Sequence, residues 1–179
     1  MAQQKPYVDR IRLAACKVLN DYGLMQVPIN VQAVAEKLGG IVSYESFDDD
    51  LSGVLVKDKD RIVIGVNSYH AKTRQRFTIA HECGHLVLKH QGEIFVDRTV
   101  MKRDGRSAQA TDWQEIEANA FAAELLMPED LILEAVHRRQ QKNTEDRSTQ
   151  FIDELAAEFQ VSPQAMEYRL TNLGMFMPQ

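Results

Sequence analysis

One short segment of the sequence has residue types and a spacing suited to metal chemistry: His81-Glu82-Cys83-Gly84-His85. On a helix, four positions correspond to about 400° of rotation, so the two imidazoles project from one face roughly 6 Å apart. One nitrogen of each ring can then bind the same metal ion at about 2.0–2.1 Å. Glu82 lies one step further round the helix, where its carboxylate can reach a metal-bound water without being a ligand. The pattern predicts a catalytic metal site with Glu82 as its general base.

The residues around this motif decide between a metal site and an ordinary surface helix. A chain of this composition carries the five-residue pattern by chance about once in a hundred. Apolar residues at 77–80 and 86–88 indicate a helix that is buried on most of its circumference. Buried imidazole and carboxylate groups need polar partners, which a metal ion supplies. Gly84 costs a helix about 1 kcal/mol relative to Ala, and close packing of another backbone would explain that cost.

Two histidines do not complete a catalytic metal shell, so a third ligand is required. Position 91 is Gln, which excludes the arrangement with a third histidine six residues after the second. His90 lies about 900° round a continuous helix from His81, and we expect it on the opposite face. The remaining arrangement is two histidines and a glutamate from a following helix.

The segment 112–127 has helical composition and offers such a glutamate. Glu115 aligns with the apolar face that includes Leu126, and a carboxylate on a buried face is explained by a metal. Glu117 and Glu124 are seven residues apart and are interpreted as a solvated stripe. The alternative for Glu115 is a place in the first helical turn, where an acid stabilises the helix dipole.

The elements that must carry these residues follow from apolar spacing and turn residues. A polar tetrad at 57–60 between two β-branched runs predicts a hairpin. The order of helices, small sheet and helices predicts an α+β fold rather than repeating βαβ units. Predicted helices span 6–22, 31–38, 74–90, 112–127, 149–159 and 163–173, and predicted strands span 41–44, 53–56 and 61–66. We expect a domain at 1–135, a polar linker at 136–148 and a C-terminal helical module at 149–179.

Composition limits the class of protein. The chain has 179 residues, 44% of them hydrophobic and 26% charged, which suits one domain or one domain with a small appendage. Its net charge of −5 argues against a broadly basic surface that binds nucleic acid. Two cysteines cannot build a disulfide framework. The sequence also has no membrane-length apolar run and no secretory signal, so a cytoplasmic location is expected.

Two longer segments together resemble the ImmA/IrrE family of metallopeptidases. They are Arg74-Gln-Arg-Phe-Thr-Ile-Ala-His-Glu-Cys-Gly-His-Leu86 and Glu115-Ile-Glu-Ala-Asn-Ala-Phe-Ala-Ala-Glu-Leu-Leu-Met-Pro128. The likeness extends to 51–53, 62–67 and 159–170, and covers most of the chain from about residue 28 to 174. As a pair the segments are far more specific than the five-residue motif. The resemblance implies a zincin-like (gluzincin-like) core, in which a small β-sheet packs on two active-site helices.

The resemblance also implies roles for individual residues. Glu82 would be the catalytic residue, and Asn119 would hold a ligand histidine by its other nitrogen. Zn²⁺ is the expected cofactor, although Mn²⁺ or iron can occupy similar sites. Cys83 stands where relatives more often have an aliphatic residue, and we expect it to pack in the core without binding metal. The implied ligand set comes from both helices: His81, His85 and Glu115.

The activity implied by the family is cleavage of a peptide bond in a DNA-binding transcriptional repressor. Such cleavage would relieve repression of mobile-element or stress-response genes, with a helix-turn-helix repressor as the protein substrate. The alternative is a non-proteolytic regulator that binds DNA or a partner and uses the metal structurally. Glu82 favours the peptidase, because a structural site does not need that carboxylate. A peptidase that is latent without a partner or signal is a third hypothesis.

Substrate binding and oxyanion stabilisation suggest a few further candidates. The strand 53–56 could pair with an extended substrate as an added strand, or could be an ordinary sheet strand. Tyr69, His70 and Arg76 lie near the motif in sequence and could donate to the oxyanion. Each of the three is better interpreted as a surface or structural residue.

The C-terminal helical pair has the spacing of a helix-turn-helix. Ser162 suits an N-cap and Pro163 the first helical position, whereas Gln160 stands at the turn position where Gly is usual. Glu167 and Arg169 leave the second helix with no net charge to offer phosphates. DNA binding is therefore disfavoured, and a structural or substrate-docking role is expected.

Overall fold

A computed structural model of the protein describes residues 5–48, 50–58, 61–98, 108–140 and 149–175. Within these ranges the chain has the predicted α+β class. The helices are α1 (Lys5–Asp21), α2 (Val31–Lys37), α3 (Lys72–Val87), α4 (Ala108–Leu126), α5 (Glu129–Gln140), α6 (Thr149–Phe159) and α7 (Pro163–Asn172). The strands are β1 (Gly40–Glu45), β2 (Leu51–Asp58), β3 (Arg61–Asn67) and β4 (Ile94–Arg98). None of the helices described here is long and apolar enough to cross a bilayer.

Two predicted helix starts are confirmed by their capping geometry. The Asn30 side chain accepts a hydrogen bond from the Ala33 N–H at 3.0 Å, which satisfies one of the free amides of α2. The Ser162 side chain accepts from the Ala165 N–H at 3.2 Å at the start of α7. In both helices, the N-cap side chain therefore fixes the residue at which the helix begins.

The sheet has the strand order β1-β3-β2-β4. β2 and β3 pair antiparallel as the predicted hairpin, β1 pairs parallel to β3, and β4 pairs antiparallel to β2. β4 was not predicted, because it has only five residues and the last two of them, Asp97 and Arg98, are charged. The prediction that Gly53–Val56 could accept a substrate strand is wrong, since β2 is paired on both sides.

α3 lies between the inner face of the sheet and α4. Gly84 marks the closest approach of the two helices: a Cβ there would lie 3.0 Å from the Ala118 Cα and 3.2 Å from the Ala118 oxygen. The close packing expected from a glycine inside this helix is confirmed. Cys83 is fully buried, as expected, and burial raises the pKa of its thiol. The core around α3 contains Leu55, Ile64, Val66, Ile79, Phe121 and Leu125.

Gly53 holds β2 against α3, and its replacement tests this packing. A Cβ at Gly53 would lie 2.3 Å from the Thr78 Cγ2 and 2.9 Å from the Gly65 oxygen. We expect Gly53→Ala to lower the free energy of unfolding by about 2–3 kcal/mol, because the added methyl forces backbone or side-chain shifts. Urea unfolding measures the change. Adding Thr78→Ser, which removes the nearer methyl, should recover part of the loss; an unaltered unfolding midpoint for Gly53→Ala would contradict the geometry.

The C-terminal helices share the core of the rest of the chain. Leu155 and Leu170 belong to the same buried cluster as the residues of α1 and α4. Arg169 donates two hydrogen bonds of 2.6 Å to the Glu124 carboxylate, and a third to the Met127 carbonyl at 3.0 Å. Glu124 is thus buried, and its prediction as part of a solvated stripe is wrong. The seven-residue spacing placed Glu124 on a helix face, but it could not show that α7 covers that face.

α5 occupies part of the predicted linker. It starts directly after Pro128, close to the predicted end of the preceding helix at 127, and it continues to Gln140. Its apolar anchors, Ile132 and Ala135, are fully buried although its composition is mostly polar. Residues 136–140 are therefore helical, and residues 141–148 of the predicted linker lie outside the described residues. The division into 1–135, 136–148 and 149–179 stays a prediction.

Candidate metal centre

The side chains of His81, His85 and Glu115 converge between α3 and α4. The Nε2 atoms of His81 and His85 are 3.1 Å apart, as the four-residue spacing predicts. The Glu115 carboxylate places Oε2 at 3.1 Å from the His81 Nε2 and Oε1 at 3.4 Å from the His85 Nε2. One ligand atom from each residue lies within 4.8 Å of the others. The structure thus brings together the ligand set expected from the sequence.

The geometry of these three groups fits a divalent cation. In a tetrahedral site with bonds of 2.0–2.1 Å, neighbouring ligand atoms are about 3.3 Å apart. The observed separations of 3.1–3.4 Å agree with that value. Burial lowers the pKa of His85, which favours the neutral ring that a cation requires. Two imidazoles and one carboxylate leave a fourth position open, as in catalytic sites.

Glu115 does not lie in the first turn of its helix. α4 begins at Ala108, seven residues earlier, so the dipole alternative does not explain the position of Glu115. Burial opposes its ionisation, yet hydrogen bonds with His81 and His85 lower the pKa of Glu115 to about 2. The ionised carboxylate is therefore the form that faces the two histidines at neutral pH.

Asn119 lies one turn after Glu115 on α4 and contacts the first histidine of the motif. The Nδ1 of His81 is 3.0 Å from the Asn119 Oδ1. An amide oxygen only accepts hydrogen bonds, so Nδ1 carries the proton and donates it. In the neutral ring that a cation requires, the Nε2 of His81 then presents its lone pair toward Glu115 and His85. This contact is the one that the resemblance implied for Asn119.

His90 also reaches the site, contrary to the prediction that it lies on the opposite face. α3 ends at Val87, and Lys89 takes a left-handed conformation with φ of 56°. The His90 N–H donates to the His85 carbonyl at 3.1 Å, and its Nδ1 lies 2.9 Å from the His85 Nδ1. A rotation of about 900° from His81 applies only to a continuous helix, and α3 ends before His90. A positive φ at a lysine is a tertiary feature that residue spacing does not reveal.

Glu117 is buried as well, so its interpretation as part of a solvated stripe is wrong. Its Oε2 lies 2.9 Å from the His90 Nε2, and its Oε1 pairs with the Arg10 guanidinium of α1. α1 packs along α4 and covers the face on which Glu117 stands. The sequence carried no signal that separated this glutamate from an exposed one.

Glu82 is fully buried beside β2, on the inner side of the site. Among the described residues, neither of its carboxylate oxygens has a hydrogen-bond partner. Burial raises the pKa of Glu82 to about 8, and nearby negative charges on Asp97 and Glu115 act in the same direction. A buried carboxyl group without protein partners is costly, and a water molecule beside a bound cation would give it one.

β4 contributes two residues that sequence reasoning missed. The Phe95 ring packs on the His85 ring with centroids 4.3 Å apart. The Asp97 carboxylate accepts hydrogen bonds from Arg74 at 3.2 Å and from Thr78 at 3.4 Å. Because Asp97 lies near Glu82, its charge contributes to the raised pKa of that group. The run of β-branched and aromatic residues Ile94-Phe95-Val96 is the sequence signal that could have identified the strand.

The positions of the three candidate oxyanion donors favour structural roles for them. The Arg76 guanidinium donates to the backbone carbonyls of Ile29 at 2.9 Å and Gln160 at 3.1 Å, so it ties α3 to neighbouring loops. Tyr69 and His70 lie in the turn before α3. That turn is about ten residues, or about 15 Å along the helix, before the histidine motif. The structural interpretation is therefore favoured for all three.

Comparisons with known proteins agree with this geometry. Residues 35–171 match the family described as IrrE N-terminal-like domain, Peptidase_M78. Radiation response metalloprotease IrrE of Deinococcus radiodurans is 33% identical over 114 residues, which is 64% of this chain and 32% of that protein. A solved structure named Mycobacterium tuberculosis transcriptional regulator matches with a TM-score of 0.59 and 17% identity, covering 91% of this chain and 46% of the other. At that identity the second likeness shows the fold alone.

The three matches cover different shares of this chain and of the two relatives. The chain spans about a third of the length of the Deinococcus relative and about half of the Mycobacterium chain. The family match, by contrast, covers most of this chain and includes both helices that build the site. The chain therefore belongs to the ImmA/IrrE family, Peptidase_M78.

Proposed function

We propose that the protein is a metal-dependent endopeptidase with a zincin-like core. His81, His85 and Glu115 would hold the cation, with Zn²⁺ as the expected ion and Mn²⁺ as the alternative. One observation carries the proposal: three ligand atoms within 4.8 Å of one another lie beside the buried carboxyl group of Glu82, which has no hydrogen-bond partner in the described part of the chain. A purely structural site would not need that carboxyl group, so the peptidase is favoured over the regulator with a structural metal.

The proposed roles of the side chains follow from their positions. When bound, the cation would act as a Lewis acid toward the scissile carbonyl and would lower the pKa of a water molecule. Glu82 accepts the proton from the attacking water and passes it to the leaving amine. Asn119 fixes the tautomer of His81, so that its Nε2 stays unprotonated. Phe95 covers one face of His85 and excludes water from that side.

The extended substrate would bind at β4 rather than at β2. In the described ranges β4 is paired only on its β2 side, so its other edge has backbone groups available for an added strand. Phe95 of β4 touches His85, and Asp97 lies near Glu82. A peptide paired with β4 would therefore pass beside the proposed catalytic carboxylate.

The proposed substrate is a helix-turn-helix transcriptional repressor. This part of the proposal depends on the family resemblance. The Deinococcus relative is named a radiation response metalloprotease, and the Mycobacterium structure is named a transcriptional regulator. The first name agrees with the proposed proteolytic activity, and the repressor as substrate is implied by the family resemblance. Two free cysteines, one of them buried in the core, agree with a reducing cytoplasm as the proposed location.

We propose that the helix-turn-helix-like C-terminal pair, α6 and α7, docks the protein substrate and does not bind DNA. Arg169 is buried and is held by the Glu124 carboxylate, so its charge is not offered to phosphates. The exposed side chain of Tyr168 on the same helix is better suited to a protein contact. Binding to DNA that weakens steeply with salt would contradict this assignment.

Removal of the metal tests the proposed activity. The full chain, loaded with Zn²⁺, is incubated with the helix-turn-helix protein encoded beside its gene, and the products are identified by mass spectrometry. We expect two fragments from one cleavage site, and no fragments after treatment with a chelator, because the site then lacks its Lewis acid. Restoring Zn²⁺ should restore cleavage. An intact partner in the presence of metal-loaded protein, together with salt-dependent DNA binding, would support the non-proteolytic alternative.

A further inference from the structure

A chain of buried polar side chains leads from His85 to the protein surface. His85 contacts His90 through the two Nδ1 atoms at 2.9 Å, and the His90 Nε2 contacts the Glu117 Oε2 at 2.9 Å. The other oxygen of Glu117 pairs with Arg10, whose side chain is mostly exposed. His90 and Glu117 are each 6% exposed. The chain begins at a proposed metal ligand and ends on α1.

The donors and acceptors in this chain can be assigned from its outer end. Arg10 only donates hydrogen bonds, so Glu117 accepts from it as an ionised carboxylate. The second oxygen of Glu117 accepts from the Nε2–H of His90. In its neutral form the His90 ring carries only this proton, so its Nδ1 accepts the Nδ1–H of His85. The remaining nitrogen of His85, Nε2, is then unprotonated and faces His81 at 3.1 Å.

From this assignment we propose that His90 and Glu117 are positioning residues for the metal ligand His85. Together they hold its ring in the tautomer and orientation that direct the Nε2 lone pair into the site. This inference rests on the proposed metal site. It gives the ligand His85 a positioning contact of its own, separate from the contact of Asn119 with His81. Among the described residues, the two histidines of the motif are therefore held by different contacts: His81 by Asn119 of α4, and His85 through His90, Glu117 and Arg10.

His90 is not a fourth ligand in this arrangement. Both of its ring nitrogens are used, one by His85 and one by Glu117. The Nδ1 of His85 that it contacts is the nitrogen turned away from His81. His90 is itself held in place, because its carbonyl accepts a hydrogen bond from the Lys57 Nζ at 2.8 Å. The backbone turn at Lys89, with φ of 56°, returns the chain to this position.

Ordinary packing does not explain this arrangement. A buried chain of polar and charged side chains stabilises a fold no better than apolar side chains of the same size, because the cost of removing it from water offsets its internal attraction. The polar chain does, however, meet the usual requirement that a ligand histidine has its second nitrogen held. The Phe95 ring also packs on the His85 ring and further restricts its orientation.

Paired substitutions at His90 separate positioning from packing. In His90→Asn the amide Oδ1 stands close to the place of the imidazole Nδ1 and can still accept from His85, whereas His90→Leu has a similar shape and no acceptor. The full-length variants are titrated with Co²⁺ and Zn²⁺ against a chromophoric chelator, and the absorption spectrum of the Co²⁺ form is recorded. Thermal unfolding of the metal-free proteins reports on packing alone.

We expect His90→Leu to weaken metal binding by about 10- to 100-fold and to alter the Co²⁺ spectrum. His90→Asn should stay within a few-fold of the wild type. Equal weakening in both variants, or wild-type affinity with an unchanged spectrum in His90→Leu, would overturn the proposal. If His90→Leu does not fold, the variants Glu117→Met and Glu117→Gln make the same comparison one contact further from the metal site. We expect weaker metal binding only in Glu117→Met. Equal metal affinity in the two Glu117 variants would overturn the proposal.

These measurements also distinguish this inference from the proposed function. The Co²⁺ and Zn²⁺ titrations need no peptide substrate. Wild-type protein that binds metal but cleaves nothing would count against the peptidase and leave the support of His85 in place. Wild-type protein that binds metal and cleaves, with His90→Leu indistinguishable from it, would refute only the role of His90.

Discussion

Glu82→Gln is expected to lower the rate of peptide cleavage by about 10³-fold while metal affinity stays within a few-fold of the wild type. The amide has nearly the shape of the carboxyl group but cannot accept the proton of the attacking water. Glu82 is not among the three groups that converge on the cation position, so metal binding should persist. Initial rates on metal-saturated protein, with metal content measured in parallel, provide the test.

The same substitution on the surface is a matched control. Glu36 is exposed on α2, and Glu36→Gln should leave the rate unchanged. The stability of Glu82→Gln also separates catalysis from folding. Because burial raises the pKa of Glu82 from 4.5 to about 8, the folded metal-free protein keeps a proton that the unfolded chain releases above about pH 4.5. Glu82 therefore destabilises the metal-free fold increasingly between these values, and Gln removes that penalty.

The metal-free Glu82→Gln protein should consequently be at least as stable as the wild type at pH 8, with the difference shrinking toward pH 4.5. Thermal unfolding at the two pH values measures it. An inactive variant that is also unfolded would have lost activity for another reason. Cleavage at the normal rate by folded Glu82→Gln would refute the assignment of the general base.

His85→Ala is expected to abolish stoichiometric metal binding, with affinity reduced by about 10³-fold or more. The change leaves two protein ligands, His81 and Glu115, which is fewer than the three that catalytic sites use. It also removes the hydrogen-bond partner of the His90 Nδ1. Metal content after dialysis, and competition with a chelator, measure the loss. Cleavage should disappear together with the metal.

A histidine outside the site provides the control for this experiment. His137 is exposed on α5, and His137→Ala should retain one metal ion per chain. Circular dichroism of both variants shows whether the fold survives. One metal ion per chain in folded His85→Ala would mean that the ligand set is wrong, and with it the proposed site.

The helices that carry the site could be predicted because their signals are local. The apolar spacing on both sides of His81 and the motif that begins at Glu115 lie within single helices, where residues three and four apart are neighbours. The glycine at 84 predicted a close helix contact, and Ala118 makes it. β4 and α5 were missed because they are short or mostly polar, and their burial depends on partners distant in sequence.

Within the site the same distinction separates predicted from unpredicted residues. The pairing of His81 with His85 follows from helix geometry alone. The partnership of Glu115 with them was favoured by the sequence, but the contact of α3 with α4 brings the atoms together. The predictions that Glu117 lies on an exposed face and that His90 lies on the face opposite His81 are both wrong. Helix periodicity states which residues share a face, and it does not state which face another element covers.

By itself, the sequence determined the two motif helices, the α+β class and the residues able to hold a cation. The tertiary structure decided that β4 and not β2 forms an edge of the sheet, that Glu82 is buried without a hydrogen-bond partner among the residues described, and that His90 returns to contact His85. Spacing along one helix is fixed by a repeat of 3.6 residues, whereas burial and long-range hydrogen bonds arise only when separate elements pack together.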